Sequence, residues 1–169
     1  MKGSNKKTCY PETLKTIVLS LGSNLGNKEE NLKQALKFLE KLPINFQKIS
    51  NIYINPAWGF ESPHLFFNLI AVGKTSFSPW ALIFEIKKIE TLMGRKKRKK
   101  NYEDRIIDID IIFYENYIIE GQILKIPHPL AHQRDFVLFP ALEIIPDWIH
   151  PVFKKSIKEI YESLKIENL

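Results

Sequence analysis

Arg105-Ile106-Ile107-Asp108-Ile109-Asp110-Ile111-Ile112-Phe113-Tyr114 is rich in β-branched and aromatic residues and holds neither Gly nor Pro, which predicts a strand. Side chains alternate along a strand, so Ile107, Ile109, Ile111 and Phe113 share one face, and Asp108, Asp110, Ile112 and Tyr114 the other. The first set belongs against a core. The second opens with two carboxylates pointing the same way from a rigid element. Like charges that close repel, and burying either one unpaired is costly. A hard divalent cation resolves the conflict, because Mg²⁺ is commonly held by one or two carboxylates and completed by substrate phosphates. Two solvated Asp on an open sheet face are the alternative that this pair alone leaves standing.

Upstream lies Arg95-Lys96-Lys97-Arg98-Lys99-Lys100, six cations in succession. The chain carries 25 Lys+Arg against 19 Asp+Glu, a net charge of +6, so this one segment accounts for the entire excess. Such a run usually means a solvated loop or a nucleic-acid patch. Beside paired carboxylates it reads instead as a loop that grips a triphosphate, since cations and Mg²⁺ neutralise phosphate charge during phosphoryl transfer.

With 169 residues, 44% of them apolar and 26% charged, the chain predicts one soluble globular domain. No apolar run approaches the roughly 18 residues of a membrane helix. Cys9 is the only cysteine, which excludes an internal disulfide, and the start lacks an apolar signal core; both point to the cytoplasm. Residues 1–15 read as a flexible extension and 16–169 as the domain.

Thr16 to Leu21 predicts a strand, and Gly22 to Asn27 a turn without the Lys-Ser/Thr of a P-loop, hence structural. Asn27 with Glu30 opens a helix striped by Leu32, Ala35, Leu36 and Leu39. Ile44 to Ile54 and Leu65 to Phe77 predict two more strands, the latter containing Asn68. Between them Asn55 to His64 forms a loop whose Trp58 suits recognition better than packing. Ser78-Pro79 starts a helix that ends at Gly94, with Glu90 either solvated or paired to Arg95. Tyr117 to Ile126 reads as an extended return, Pro127-His128-Pro129 pins an imidazole, and Ser156 with Glu159 caps a closing helix. Strand, helix, strand, strand, helix, strand is the order of an α+β, ferredoxin-like split βαβ, with a mainly antiparallel sheet and helices packed on one face.

Leu19 to Gly26, Tyr53 to Gly59, Phe67-Asn68, Ile89-Glu90 through Arg95, Arg105 to Asp110 and Ile126 to Pro129 occur together in this order. That set closely resembles the hydroxymethyl-dihydropterin pyrophosphokinase family, over about residues 16 to 150. The resemblance implies transfer of pyrophosphate from ATP to the hydroxymethyl of a reduced pterin, with release of AMP. It implies two Mg²⁺ on Asp108 and Asp110, with Arg95 and Arg105 as catalytic contacts to the triphosphate. Glu90, Ile111, His128 and Arg134 would complete the ATP site. Trp58 and Phe136 would sandwich the pterin, Asn68 would read its polar edge, Asn55, Pro56 and Ala57 would lie along it, and Phe66 would add a wall. Asn101 and Tyr102 depart from an Arg-Trp pair common in the family; Tyr102 can still stack, and Lys97 is the candidate replacement cation. The implied partners are ATP and a pterin, with no nucleic acid, no membrane and a monomeric chain. An RNA-binding module would show aromatics on its central strands, and the strand here presents carboxylates instead. A palm-type nucleotidyl transferase would share the Asp pair but release pyrophosphate.

Overall fold

The computed structural model describes residues 13–95 and 103–167. Cys9 with residues 1–12 of the extension, and Lys97, Asn101 and Tyr102 with the rest of 96–102, lie outside the described residues.

Strand β1 (Lys15–Ser23) leads to helix α1 (Lys28–Leu39), then to β2 (Ile44–Ile49), β3 (Tyr53–Asn55) and β4 (Phe66–Thr75), helix α2 (Pro79–Leu92) and β5 (Asp108–Tyr114). They form an antiparallel sheet in the order β2-β4-β1-β5, with β3 also paired to β4. The α+β class and the split βαβ hold. A two-stranded hairpin, β6 (Ile119–Glu120) and β7 (Lys125–Ile126), then precedes α3 (Asp135–Ile144) and α4 (Ile157–Glu167). The helix starts follow from their caps: Asn27 Oδ1 accepts the Glu30 amide at 3.2 Å and Ser78 Oγ that of Ala81 at 3.2 Å. Ser156 and Glu159 cap each other's backbone, at 2.7 and 3.2 Å.

Three expectations need correction. Helices cover both faces of the sheet, not one. Leu32, Ala35 and Leu39 of α1 and Leu82, Ile86 and Ile89 of α2 pack on one side; Val137, Leu138 and Ala141 of α3 and Ile157 and Ile160 of α4 pack on the other. Strict alternation also fails along β5. Val18 faces Phe113 while its neighbour Leu19 faces Ile111, so Ile112 is the extra residue of a bulge. Phe113 therefore joins Ile112 under α3 and α4, and Tyr114 joins Ile107, Ile109 and Ile111 under α1 and α2. The Tyr114 hydroxyl escapes burial without a partner by donating to the Phe77 carbonyl at 2.7 Å.

The expected strand from Ile44 to Ile54 is broken after Ile49. Ser50 still bonds Ile70 through its backbone and hydroxyl, both at 2.9 Å. Asn51 then turns to α3, where the Glu143 carboxylate accepts its amide and side chain at 2.9 and 2.8 Å.

Beside the second core His150 is 4% exposed, and its Nδ1 accepts the amides of Val152 and Phe153 at 3.2 and 3.3 Å. Burial, helped by His132, pushes its pKa down to about 4. The folded chain thus binds this proton less readily than the unfolded chain, whose imidazole titrates near 6.5. The stability it contributes is complete above about pH 6.5 and is lost as pH falls towards 4, on the order of 3 kcal/mol in all. Melting at about pH 7.5 and about pH 4.5 checks this, because His150→Asn keeps an acceptor for the turn but no titration. The acid loss should shrink in the variant; an equal loss in both would refute the assignment.

Candidate active site

The floor of the site is the middle of the sheet. Gly22 on β1 lies between Asp108 and Asn68 on the flanking strands, and Ser20 lies between Asp110 and Ile70. Gly22 belongs to the strand and not to the turn, and its lack of a side chain has a local cause. A Cβ there would sit 2.5 Å from Asn68 Oδ1, so only glycine lets Asn68 reach across. Asn68 Nδ2 donates to Asn55 Oδ1 at 2.6 Å, and Asn55 Nδ2 donates to the Pro56 carbonyl at 2.7 Å. This chain fixes which edge of each amide faces the cavity.

Glu90 is buried, and not solvated at the helix edge. Its carboxylate accepts from Lys87 Nζ at 2.8 Å, from the Ile109 amide at 2.8 Å and from Arg95 Nη1. Burial pushes its carboxyl above the usual range despite Lys87 and Arg95. Gly94, at φ +91°, turns the chain out of α2 so that the Arg95 amide returns to the Glu90 carbonyl at 3.0 Å. Arg95 Nη1 also donates to Asp108 Oδ1 at 2.6 Å, while Arg105 Nη1 donates to Asp108 Oδ2 at 2.7 Å. Burial pushes the Asp108 carboxyl up, but the two arginines outweigh it and hold the group below its usual range. Asp108 and Asp110 are therefore not two bare, mutually repelling carboxylates.

Asp110 is held less tightly, with His128 Nε2 and Arg134 Nη1 each 3.9 Å from Oδ2. The Leu130 amide donates to His128 Nδ1 at 3.2 Å, which leaves the ring proton on Nε2, the nitrogen that faces Asp110. The His128 amide is fixed in turn by the Ile112 carbonyl at 3.0 Å.

The far end is aromatic. Trp58 and Phe136 are 6.5 Å apart at 65°, edge to face, and the Arg134 guanidinium lies 4.8 Å from one ring centre and 5.6 Å from the other. A flat ligand between two parallel rings needs them about 7 Å apart, given carbon contacts of about 3.5 Å on each side. The spacing is close, but the rings must swing parallel and the guanidinium must withdraw.

Asn55, Trp58, Phe66, Asn68, Arg105, Asp108, Asp110, His128, Arg134 and Phe136, all candidates from the sequence, line one cavity of about 230 Å³. Ser20, Gly22, Phe60, Pro129 and Leu130 line it too and were not expected. Phe60, edge-on to Phe66 at 6.2 Å, carried a signal as the second aromatic of the Trp58 loop. Arg95 and Glu90 stand behind Asp108, and Pro56 and Ala57 lead into Trp58. The Ile111 side chain is 3% exposed in the opposite core, so any contact with a nucleotide is through its backbone. Among the described residues no three His, Cys, Asp or Glu side chains gather as a metal cage. Two carboxylates on one strand, the more constrained already bridging two cations, still suit Mg²⁺ that takes its remaining ligands from phosphates and water.

The sequence model of 7,8-dihydro-6-hydroxymethylpterin-pyrophosphokinase matches residues 18–146. The chain is 43% identical over 144 residues to the Aquifex aeolicus 2-amino-4-hydroxy-6-hydroxymethyldihydropteridine pyrophosphokinase, covering 85% of this chain and 89% of that one. With the Porphyromonas gingivalis enzyme of the same name it shares 37% over 138 residues, 80% of this chain and 93% of the other. The fold also matches wild-type Plasmodium falciparum HPPK-DHPS with a TM-score of 0.72 at 19% identity, over 89% of this chain and 43% of that larger one.

Proposed function

The chain belongs to the 7,8-dihydro-6-hydroxymethylpterin-pyrophosphokinase family, and on that premise we propose that this cavity moves pyrophosphate from ATP to a pterin hydroxymethyl group and releases AMP. Pyrophosphokinase activity in folate biosynthesis comes with membership of the family. The observation that carries the residue assignment is a cavity with a carboxylate pair and arginines at one end and amides and aromatics at the other.

In this reading the pterin oxygen attacks the β-phosphorus, the bond from that phosphorus to the α–β bridging oxygen breaks, and AMP departs. Asp108 and Asp110 would hold two Mg²⁺, which when bound neutralise phosphate charge at the attacked centre. Arg95 and Arg105 exchange Asp108 for phosphate oxygens as ATP enters, their planar forks suiting both partners. His128 keeps its Nε2 proton towards Asp110 and orients it. Asn55 and Asn68 read the pterin's donor and acceptor edge, Trp58 and Phe136 close on its faces, and Phe66 and Phe60 exclude water. Residues 16–169 act as one domain, a monomer in the cytoplasm, without nucleic acid; among the described residues no helix is long and apolar enough to cross a membrane.

Incubation with Mg·ATP and the hydroxymethyl pterin tests this by its products. AMP is expected; ADP, pyrophosphate or no turnover overturns it. Trp58→Ala should raise the KM for the pterin about tenfold or more, because stacking one base on an aromatic is worth about 1–3 kcal/mol. Its KM for ATP should stay near the wild-type value, and equal rises in both would remove Trp58 from the pterin end.

A further inference from the structure

Given the pyrophosphokinase reading, we propose that Asp104 is a positioning residue that ties the aromatic end of the cavity to Arg105, so that the pterin and phosphate ends form together. Asp104 Oδ1 accepts from Ser62 Oγ and from Asn24 Nδ2, both at 2.6 Å. Bonds to an ionised acceptor are short and strong, and these two enter from different loops. Ser62 follows Trp58 and Phe60 in the loop between β3 and β4, and its Oγ also accepts the His64 amide at 3.1 Å. His64 Nε2 approaches Asp104 Oδ2 at 3.9 Å. The tie therefore reaches the backbone of the aromatic loop.

On its other side Asn24 is fully buried and grips both backbone groups of Arg105. Its Oδ1 accepts the Arg105 amide at 2.7 Å, and its own amide donates to the Arg105 carbonyl at 3.1 Å. Asn31 braces the same turn, with Nδ2 donating to Ser23 Oγ at 3.1 Å and to the Leu25 carbonyl at 2.8 Å. Asp104 does not line the cavity, so it acts only through what it joins. Triphosphate that fixes Arg105 then favours the arrangement of the Trp58 loop that accepts the pterin. By linkage the pterin strengthens triphosphate binding by the same factor.

The test compares wild type with Asp104→Ala, Asp104→Asn and Ser62→Ala. In the free protein, amide hydrogen exchange across residues 58–64 should rise about tenfold in Asp104→Ala and in Ser62→Ala, the scale of one charge-assisted bond. In titrations, a non-hydrolysable ATP analogue should tighten pterin binding in wild type and lose most of that effect in Asp104→Ala. Asp104→Asn keeps an oxygen that can accept both bonds and should recover part of it. Unchanged exchange at 58–64, or a lower melting temperature with the analogue's effect intact, overturns the proposal. Exchange needs no substrate, so it still reads the tie if wild type releases no AMP, the result that would instead overturn the pyrophosphokinase reading.

Discussion

Asp108→Ala and Asp110→Ala should both lose at least about a thousandfold in kcat, since each removes a ligand for a charge-stabilising ion worth several kcal/mol. Their stabilities should part company. Mutual repulsion alone would leave both variants as stable as wild type or slightly more so, but the geometry assigns that outcome to Asp110 only. The Arg134 guanidinium and the His128 ring each stand 3.9 Å from it and its side chain is 25% exposed, so its loss uncovers little. Asp108 is the shared partner of Arg95 and Arg105, whose side chains are only 11% and 9% exposed. Stripping it takes the carboxylate from Arg105 and leaves Arg95 with Glu90 alone, two guanidiniums on one remaining carboxylate. A cost of about 2 kcal/mol should lower the melting temperature of Asp108→Ala by about 4–8 °C, against less than about 2 °C for Asp110→Ala. Calorimetry with a turnover assay separates the two. If both variants melt well below wild type, the pair is structural and the magnesium assignment fails.

The second large effect is at the arginines. Arg105 is the better fixed, with its amide on Asn24, its Nε on the Glu103 carbonyl at 3.1 Å and its guanidinium 5.7 Å from the Phe66 ring centre. Such a preorganised donor is worth about 2.7–4 kcal/mol of transition-state stabilisation, so Arg105→Ala should lose about a hundredfold or more in kcat/KM. Arg105→Lys keeps the charge but neither the planar fork nor the ring contact and should recover less than a tenth of the loss. Arg95→Ala should lose at least about 2 kcal/mol by the same reasoning. Lys99→Ala and Lys100→Ala should each cost under about 1 kcal/mol, because a lysine offers phosphate a point charge without the planar fork. Steady-state kinetics across this scan, with oligonucleotide binding measured alongside, decides the matter. Equal small steps in oligonucleotide affinity at every cation, with no turnover to lose, would mark a nucleic-acid patch.

What could be read from the sequence was local. Asp108 and Asp110 share a face because the period of a strand is two, and the caps at Asn27, Ser78 and Ser156 declare themselves by residue type. What stayed hidden depends on partners far along the chain. Nothing near Ile112 marks a bulge, since it arises from the register of β5 against β1. Nothing near Glu90 says that Lys87, Arg95 and the Ile109 amide converge on it, so solvation and pairing looked equally open. The closing helix α4 declares itself through Ser156 and Glu159. The stretch around Arg134 and Phe136 reads equally as short helix or irregular chain, and α3 carries Pro140 although Val137, Leu138 and Ala141 make it a core helix. Within the site, residue types gave the polar and aromatic ends, but only the fold shows Arg134 against both Trp58 and Phe136.

Ser20 pairs with Asp110, 90 positions later, and Gly22 with Asn68, so the floor of the cavity is stitched from segments remote in the chain. That has a bearing on how the molecule is made. During synthesis β1 emerges long before either neighbour, with Ile17, Leu19 and Leu21 on one side and Val18 on the other destined for burial. Until β4 and β5 arrive it is an unpaired apolar strand, the kind of segment that recruits other chains. Contacts this distant also slow closure, which makes the domain a slower folder than helical bundles built on local contacts. A nascent chain stalled before Asp108 would have β4 to cover one edge of β1 and nothing for the other. Chaperone demand should therefore peak over the last stretch before the carboxylates are translated and fall sharply once they are in place.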